Sequence, residues 1–175
     1  MSSYKQLFIF VEGVDDERFL EEILKPKFED KYDLVKLVRY AEMKDEKVNS
    51  FIRSVEAMGA SYIFMADIND APCVTAKKQR LKRKYKSLRL DRVIVVIKEI
   101  ESWYLAGLDV ETYKKFGIRY TPQTDSITKE QFNALIPKRF DSRIDFMSEI
   151  LKVFSIDVAK RRNSSFRYCL KKFDC

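Results

Sequence analysis

The fold is decided by the stretch QLFIFVEGVDDERFLEEIL, residues 6–24, in which an apolar strand gives way to a helix. Residues 6–11 form a predicted strand in which five apolar residues follow Gln6 without interruption, which is typical of a strand buried on both faces of a parallel sheet. From Asp15 the apolar residues recur at helical spacing, so Asp15 is the predicted N-cap and Pro26 lies near the predicted end. Between the two patterns stands Glu12. The stretch therefore predicts a strand–turn–helix unit with a carboxylate at the turn.

Strand and helix patterns alternate through the first hundred residues. Apolar runs predict further strands, and amphipathic spacing predicts the helices between them. This alternation with short connections predicts an α/β fold, a parallel sheet of about four strands flanked by helices. The later strands are predicted at 32–41, 61–70 and 91–100. The first helix between them is predicted at 44–60, with Gly59 as its stop and an inner face of Val48, Phe51, Ile52, Val55 and Met58. The second is predicted at 74–88, with an apolar stripe of Val74, Leu81, Tyr85 and Leu88.

Beyond Glu101 the strand patterns fade and helical patterns replace them. We predict a single domain over 1–175, with an α/β core at 1–107 and a helical C-terminal extension at 108–175 packed on it. Trp103 and Tyr104 begin an apolar helix, which favours core packing over stacking on bases. The predicted helices are ESWYLAGL (101–108), TKEQFNALI (128–136, opened by a Thr128–Gln131 capping box), SRIDFMSEILKVF (142–154) and DVAKRRNSSFRYCLKKF (157–173).

Composition narrows the chemistry that the chain can perform. It contains no histidine, which excludes Ser-His-Asp and Cys-His catalysis and leaves carboxylates, lysine, tyrosine and metal-bound water. The apolar runs are too short to cross a membrane, the first residues lack a cleavable signal pattern, and the three cysteines are scattered. We therefore expect a cytoplasmic protein with no membrane partner, and no pattern in the sequence indicates its oligomeric state.

Acidic and amide side chains follow three of the four predicted strands. Because the carboxyl ends of parallel strands meet at one edge of the sheet, where ligands bind, these oxygen ligands are expected to come together. Hard oxygen ligands suit Mg²⁺ or Mn²⁺. The residues are Glu12 after the first strand, Asp67, Asn69 and Asp70 after the third, and Glu99 and Glu101 after the fourth.

A more ordinary interpretation exists for some of these acids. Asp16 comes four residues after Glu12 and can face the same crevice, but residues 15–17 are also typical acids of a first helical turn, where the helix dipole favours them. Asp67 and Asn69 can form an Asx-turn that caps the next helix. Both interpretations stay open on the sequence alone.

The chain carries 34 Lys and Arg against 27 Asp and Glu, and the excess is concentrated in two places. The first is the helix predicted at 74–88, which is basic outside its apolar stripe, and the second lies near the C-terminus. Such surfaces bind phosphate backbones, although a solvated helix face has the same composition. The predicted contacts are Lys77, Lys78, Arg80, Lys82, Arg83 and Lys84 in the first cluster and Arg161 and Arg162 in the second, where Lys160, Arg167, Lys171 and Lys172 add further charge.

FIFVEGVDDERFLEEIL (8–24) together with YIFMADIND (62–70) resembles the TOPRIM domain of topoisomerases, primases and nucleases. The signature of that domain is a Glu after the first strand, usually followed by Gly, and an Asp-x-Asp after the third. IKEIESWYLAG (97–107) and the C-terminal stretch 140–173 resemble, more narrowly, small stand-alone TOPRIM-like proteins related to the nuclease domains of the overcoming-lysogenization-defect (OLD) family. The resemblance implies a TOPRIM-like, Rossmann-like fold.

The resemblance also implies roles for individual residues. Glu12 matches the family's Glu, a metal ligand or general acid–base, and Asp67 matches the first Asp of Asp-x-Asp. Asn69 stands where the second Asp is expected and Asp70 comes one residue late, which departs from the pattern and weakens metal binding there. Asp16 matches the acid that the family places four residues after its Glu. Glu101, in preference to Glu99, matches a ligand of a second metal. Lys160 matches the lysine that stabilises the transition state, and Arg161 and Arg162 are nearly as good candidates.

These expectations lead to a Mg²⁺- or Mn²⁺-dependent nuclease that cleaves DNA or RNA with a carboxylate-bound metal, with a protein such as an ATPase as a further partner. Two alternatives stay open. Asn69 fits a TOPRIM-like module that has lost catalysis and serves a larger nucleic-acid complex. The acids at 15–17, with Asp67 and Lys98, resemble the arrangement of acids and lysine in a phospho-receiver domain. Glu12–Gly13, however, interrupts that arrangement after the first strand.

Overall fold

The computed structural model describes residues 4–174, which fold into two compact units. The first runs to Val95 and the second from Val96 to Asp174. The sequence placed the corresponding boundary at residue 107. No helix among the described residues is long and apolar enough to cross a membrane.

The first unit alternates strands and helices in the predicted order. The sheet has four parallel strands in the order β2-β1-β3-β4, and Phe8 of β1 lies between Lys36 of β2 and Tyr62 of β3. The predicted α/β class with a parallel four-stranded sheet is thus confirmed. Its elements are β1 (Gln6–Val11), α1 (Val14–Phe19), a π-helical segment (Leu20–Leu24), α2 (Lys25–Glu29), β2 (Leu34–Arg39), α3 (Asp45–Ala57), β3 (Ser61–Asp67), α4 (Val74–Lys84), a 3₁₀ turn (Leu90–Arg92) and β4 (Val93–Val96).

An aromatic-rich core covers one face of this sheet. The rings of Phe10 and Phe64, on neighbouring strands, stack with centroids 5.7 Å apart, and Phe51 of α3 meets Phe10 edge-on at 5.3 Å. The predicted inner face of α3 is buried at Val48, Ile52 and Val55. Each fully buried aliphatic or aromatic side chain of this kind contributes roughly 1.5–3 kcal/mol, so this layer fixes the positions of the strand ends.

Several predicted element boundaries were wrong for local reasons. The N-cap of α1 is Gly13 rather than Asp15, and Pro26 lies within the first turn of α2, where a missing N–H is tolerated, so the helical path continues to Glu29. Helix α3 ends at Ala57, and Gly59, its predicted stop, follows with φ 68°, whereas Met58, predicted for the inner face, is 58% exposed. The basic helix ends at Lys84 instead of residue 88, and β4 has four residues instead of ten.

The second unit is built entirely from short helices after the end of β4. Every residue of the helix that follows β4 is buried, and this helix packs against three later helices, which is why the unit begins before it rather than at residue 108. The predicted Thr128–Gln131 capping box is present. The helices are α5 (Glu101–Ala106), α6 (Val110–Phe116), α7 (Lys129–Leu135), α8 (Arg143–Lys152), α9 (Ile156–Arg162) and α10 (Ser164–Phe173).

Two further differences concern the second unit. The helix predicted over 157–173 is interrupted at Asn163, whose extended backbone (φ −138°) allows its side chain to cap α10 by accepting from the Phe166 N–H. Trp103 and Tyr104 are fully buried, as predicted, and the indole of Trp103 meets Phe166 edge-on at 5.1 Å. These two aromatic side chains are therefore core residues.

Candidate site at the strand ends

Glu12 lies immediately after β1 and is tied to both neighbouring strands of the sheet. Its Oε1 accepts a hydrogen bond from the Asp67 backbone N–H at the end of β3, with 3.3 Å between N and O. The same oxygen accepts from the hydroxyl of Tyr40, which follows β2, at 3.2 Å. The sequence predicted that Glu12 and the end of β3 would meet at the carboxyl edge of the sheet, and the structure brings them into direct contact.

Tyr40 is the residue of this site that the sequence reasoning missed. It is 4% exposed, and its single hydroxyl proton is shared between Glu12 Oε1 and the Met65 carbonyl oxygen, which is the nearer acceptor at 2.9 Å. Burial raises the pKa of Tyr40 well above its usual value, and the nearby charge of Glu12 adds to the rise. The phenol therefore stays protonated and remains a donor. The sequence offered one signal for Tyr40, its position at the end of the strand that pairs with the strand of Glu12.

Asp16 has a capping role that the sequence left open. It is 7% exposed, and its Oδ2 accepts from the Gly13 N–H at 3.3 Å, which satisfies a backbone donor at the start of α1. Its charge also helps to raise the pKa of Tyr40, although burial and Glu12 contribute more. The neighbouring acids are ion-paired: Asp15 with Arg18 at 2.6 Å and Glu17 with Arg39 at 3.1 Å.

The three polar residues after β3 have different surroundings. Asp67 is the last residue of the strand and its Oδ1 is shielded from solvent. Asn69 is exposed and adopts left-handed backbone angles (φ 51°), a conformation that Asn tolerates better than most residues. The side chain of Asp70 is 89% exposed and forms an ion pair with Arg80 of α4 at 3.0 Å. The contact with Glu12 thus comes from Asp67, while Asp70 is paired with α4.

The carboxylates do not form a ready-made cage. Among residues 4–174 no group of three or more His, Cys, Asp or Glu side chains is placed to hold a metal ion together. Mg²⁺ commonly binds through one or two carboxylates and completes its shell with water and substrate phosphate. Glu12 and Asp67 each carry a carboxylate and their residues meet at the sheet edge through the Asp67 backbone N–H, so their donor chemistry fits that mode of binding.

Helix α4 presents the predicted basic surface in part. Leu81 is buried along with Tyr85 and Leu88 just beyond the helix, whereas Val74, predicted for the same stripe, is 36% exposed. Arg80 of the helix is ion-paired with Asp70, and Lys84 with Asp45 at 3.4 Å. Lys82 donates to the carbonyl oxygens that follow the helix, those of Lys86 and Leu88. The predicted set also contains Lys77, Lys78 and Arg83, of which Arg83 is exposed and the two lysines are half-buried.

In the second unit, the acids after β4 are engaged with helices of that unit. Glu101 is buried and forms an ion pair with Arg143 of α8. Glu99 accepts from the Lys129 N–H at the start of α7, at 2.5 Å. The role of Glu101 as a second-metal ligand stays a prediction. These contacts give both carboxylates a local structural role.

The three consecutive basic residues of α9 have unlike surroundings. Lys160 is half-buried and lies 3.7 Å from Asp157, and Arg161 is exposed. Arg162 is 5% exposed, and its guanidinium donates to the hydroxyl of Tyr113 at 2.9 Å and to several backbone carbonyls. This corrects the prediction that Arg162 contacts nucleic acid, because its donors are buried within the unit. The carbonyl oxygens belong to Leu105, Ala106, Leu108, Thr121 and Pro122.

Comparison with protein-family models, with curated proteins and with solved structures found no match to this chain.

Proposed function

We propose that the protein is a Mg²⁺- or Mn²⁺-dependent phosphodiesterase with a TOPRIM-like fold that hydrolyses DNA or RNA at the edge of the sheet where Glu12 lies. One observation carries the proposal: the Glu12 carboxylate accepts from the Asp67 backbone N–H. Acidic residues from two strands that are more than fifty positions apart in the chain thus meet at the ligand-binding edge of a parallel sheet. Glu12 and Asp67 are also the two acids that match the TOPRIM-like signature.

The ligands of the ion, in this proposal, are Glu12 and Asp67. Asp16 accepts from the Gly13 N–H at the start of α1, and its role as a further ligand stays a prediction. A bound divalent cation supplies a Lewis acid and an activated water for phosphodiester hydrolysis, which suits a chain without histidine. The remaining coordination positions belong to water and the substrate phosphate. Glu101, Lys160 and an ATPase-type protein partner remain further elements of the hypothesis.

Nucleic acid is proposed as the substrate because of helix α4. The chain between Ala71 and Leu90 carries eight basic residues and no acids, and α4 begins seven residues after Asp67. Cations in this arrangement bind phosphates with little dependence on base sequence and with strong dependence on salt. The exposed Arg161 in the second unit is a further proposed contact.

A second function is favoured by the turn after β3. Where the signature expects a second carboxylate, Asn69 is neutral and exposed, and the nearby Asp70 is paired with Arg80. A protein with this turn can bind nucleic acid through α4 without cleaving it. That alternative is a TOPRIM-like binding module of a larger complex.

The two functions are separated by cleavage assays on end-labelled single- and double-stranded DNA and RNA, with Mg²⁺ and Mn²⁺ titrated in parallel. The informative variants are Glu12→Gln and Asp67→Asn, which remove the charges of the proposed ligands. Asp30→Asn is the matched control, because Asp30 is an exposed acid at the end of α2, just before β2 begins at the opposite edge of the sheet.

The proposal predicts metal-dependent cleavage by the wild type and by Asp30→Asn, and a loss of at least 100-fold in both site variants. Binding without cleavage by the wild type, with binding weakened by charge removal on α4, would establish the binding module instead. Cleavage that survives in Glu12→Gln would refute the site.

A further inference from the structure

Tyr40, which follows β2, contacts both β1 and β3 at the candidate site. Its backbone N–H donates to the Val11 carbonyl of β1 at 3.0 Å, and its ring packs on Phe64 of β3 with centroids 4.3 Å apart. Its hydroxyl lies between two acceptors, the Met65 carbonyl at 2.9 Å and Glu12 Oε1 at 3.2 Å. The phenol is thus held by packing along its length and by hydrogen bonding at its tip.

These contacts engage one of the two carboxylate oxygens of Glu12. Both hydrogen bonds that the described residues make to this carboxylate end on Oε1, one from Tyr40 and one from the Asp67 N–H. A carboxylate with one oxygen fixed by two donors presents the other oxygen to a ligand in a defined direction. The same polar contacts restrict the rotation of the carboxylate before a ligand binds, so less side-chain entropy is lost on binding.

We propose that Tyr40 is the positioning residue of Glu12: its hydroxyl fixes Oε1 against the end of β3 and so directs Oε2 toward a divalent cation. The inference rests on the proposed function, since it assumes that Glu12 binds the ion. Tyr40 itself does not touch the ion. Hydrogen-bond donors behind metal ligands typically account for 10- to 100-fold in metal affinity.

The test compares two tyrosines of the same core. Tyr40→Phe removes the hydroxyl and keeps the ring that packs on Phe64. Tyr62→Phe is the matched control: Tyr62 is 2% exposed and belongs to the same hydrophobic core, but its hydroxyl accepts from the Arg89 N–H at 2.9 Å, away from Glu12. Thermal unfolding of both variants shows whether each remains folded.

Two measurements are made on each variant. The first is Mn²⁺ affinity by calorimetry, with Mn²⁺ alone as the probe. The second is the ¹H–¹⁵N resonance of the Asp67 amide without metal, which reports directly on the hydrogen bond to Glu12. We expect Tyr40→Phe to lose about 10-fold or more in Mn²⁺ affinity and to shift the Asp67 amide, and Tyr62→Phe to change neither.

A double variant tests whether Tyr40 acts through Glu12. Tyr40→Phe/Glu12→Gln is expected to bind Mn²⁺ no more weakly than Glu12→Gln alone, because the residue that Tyr40 positions is already disabled. The proposal is overturned if Tyr40→Phe leaves both the affinity and the amide resonance at wild-type values. If the wild type binds no Mn²⁺, the proposed function fails, and the amide shift still decides whether Tyr40 positions Glu12.

Discussion

Two adjacent arginines of α9 are predicted to respond in opposite ways to the same substitution. Arg162 is buried and Arg161 is exposed. Arg162→Met keeps most of the aliphatic stem and removes the guanidinium, so it leaves buried carbonyl oxygens without their donor. Arg161→Met removes a cation from the surface. The pair therefore separates a structural role from a surface role at neighbouring positions.

The magnitude follows from the contacts of Arg162. Its guanidinium donates to five backbone carbonyls and to the Tyr113 hydroxyl, from the segments 105–108 and 121–122 and from α6. Each buried acceptor left without a donor costs about 1–3 kcal/mol, and water entering the space recovers part of this cost. We expect a loss of about 3–5 kcal/mol, comparable to removing one partner of a buried ion pair.

The assay is unfolding followed by fluorescence of Trp103, the single tryptophan, which is fully buried in the same unit. For a chain of this length the predicted loss lowers Tm by about 6–20 °C. Arg161→Met should stay within about 0.5 kcal/mol of the wild type. Equal stability of the two variants, or a loss confined to Arg161→Met, would refute the assignment of Arg162 as a structural residue.

Three further predictions concern stability. Gly107→Ala is expected to cost about 1–3 kcal/mol in chemical denaturation, because the added Cβ would lie 2.5 Å from Cγ of the Phe154 ring, and Phe154→Leu in the same chain should recover part of the loss. Asn69→Ala should cost about 1 kcal/mol through backbone strain at φ 51°, whereas Asn69→Gly should be tolerated. Asp109→Ala should cost about 1 kcal/mol at neutral pH, since Asp109 caps α6. Hydrogen bonds from Thr112 lower the pKa of Asp109. The stability that Asp109 contributes is therefore present above about pH 4 and is lost as the pH falls through the lowered pKa. Urea unfolding at pH 7 and pH 2.5 measures the difference, and an equal cost of Asp109→Ala at both pH values would contradict the prediction.

The parallel sheet was predictable because three of its strands, β1, β3 and β4, are almost entirely buried apolar runs. The run at residues 6–11 matches β1, and the alternation with amphipathic helices leaves few topologies to consider. Element ends were less predictable, since they depend on single backbone angles. Asn163 shows this, because its extended backbone divides a continuous helical pattern into α9 and α10.

One helix, α6, was overlooked although its termini carry ordinary signals. Asp109 caps its start through the Thr112 N–H, and Gly117 ends it at φ 73°. Its apolar residues are few, so hydrophobic periodicity alone gave little indication. Capping residues were the stronger signal here.

The candidate site was predictable only as far as strand ends determine it. The meeting of Glu12 with the end of β3 follows from topology, since parallel strands place their carboxyl ends together. The part played by Tyr40 does not follow, because a tyrosine at a strand end reads equally as core. The burial of Arg162 was also hidden, since an isolated run of three basic residues does not reveal which side chain points inward.

The most direct test of the account is Mn²⁺ binding to the wild type and to Glu12→Gln, followed by the loss of the free-ion electron paramagnetic resonance signal. The account predicts saturable binding by the wild type and at least a 10-fold weaker affinity in Glu12→Gln, with both proteins equally folded. Binding of equal strength in the two proteins, or no binding by the wild type, would contradict the claim that Glu12 at the end of β1 is a ligand of a divalent cation.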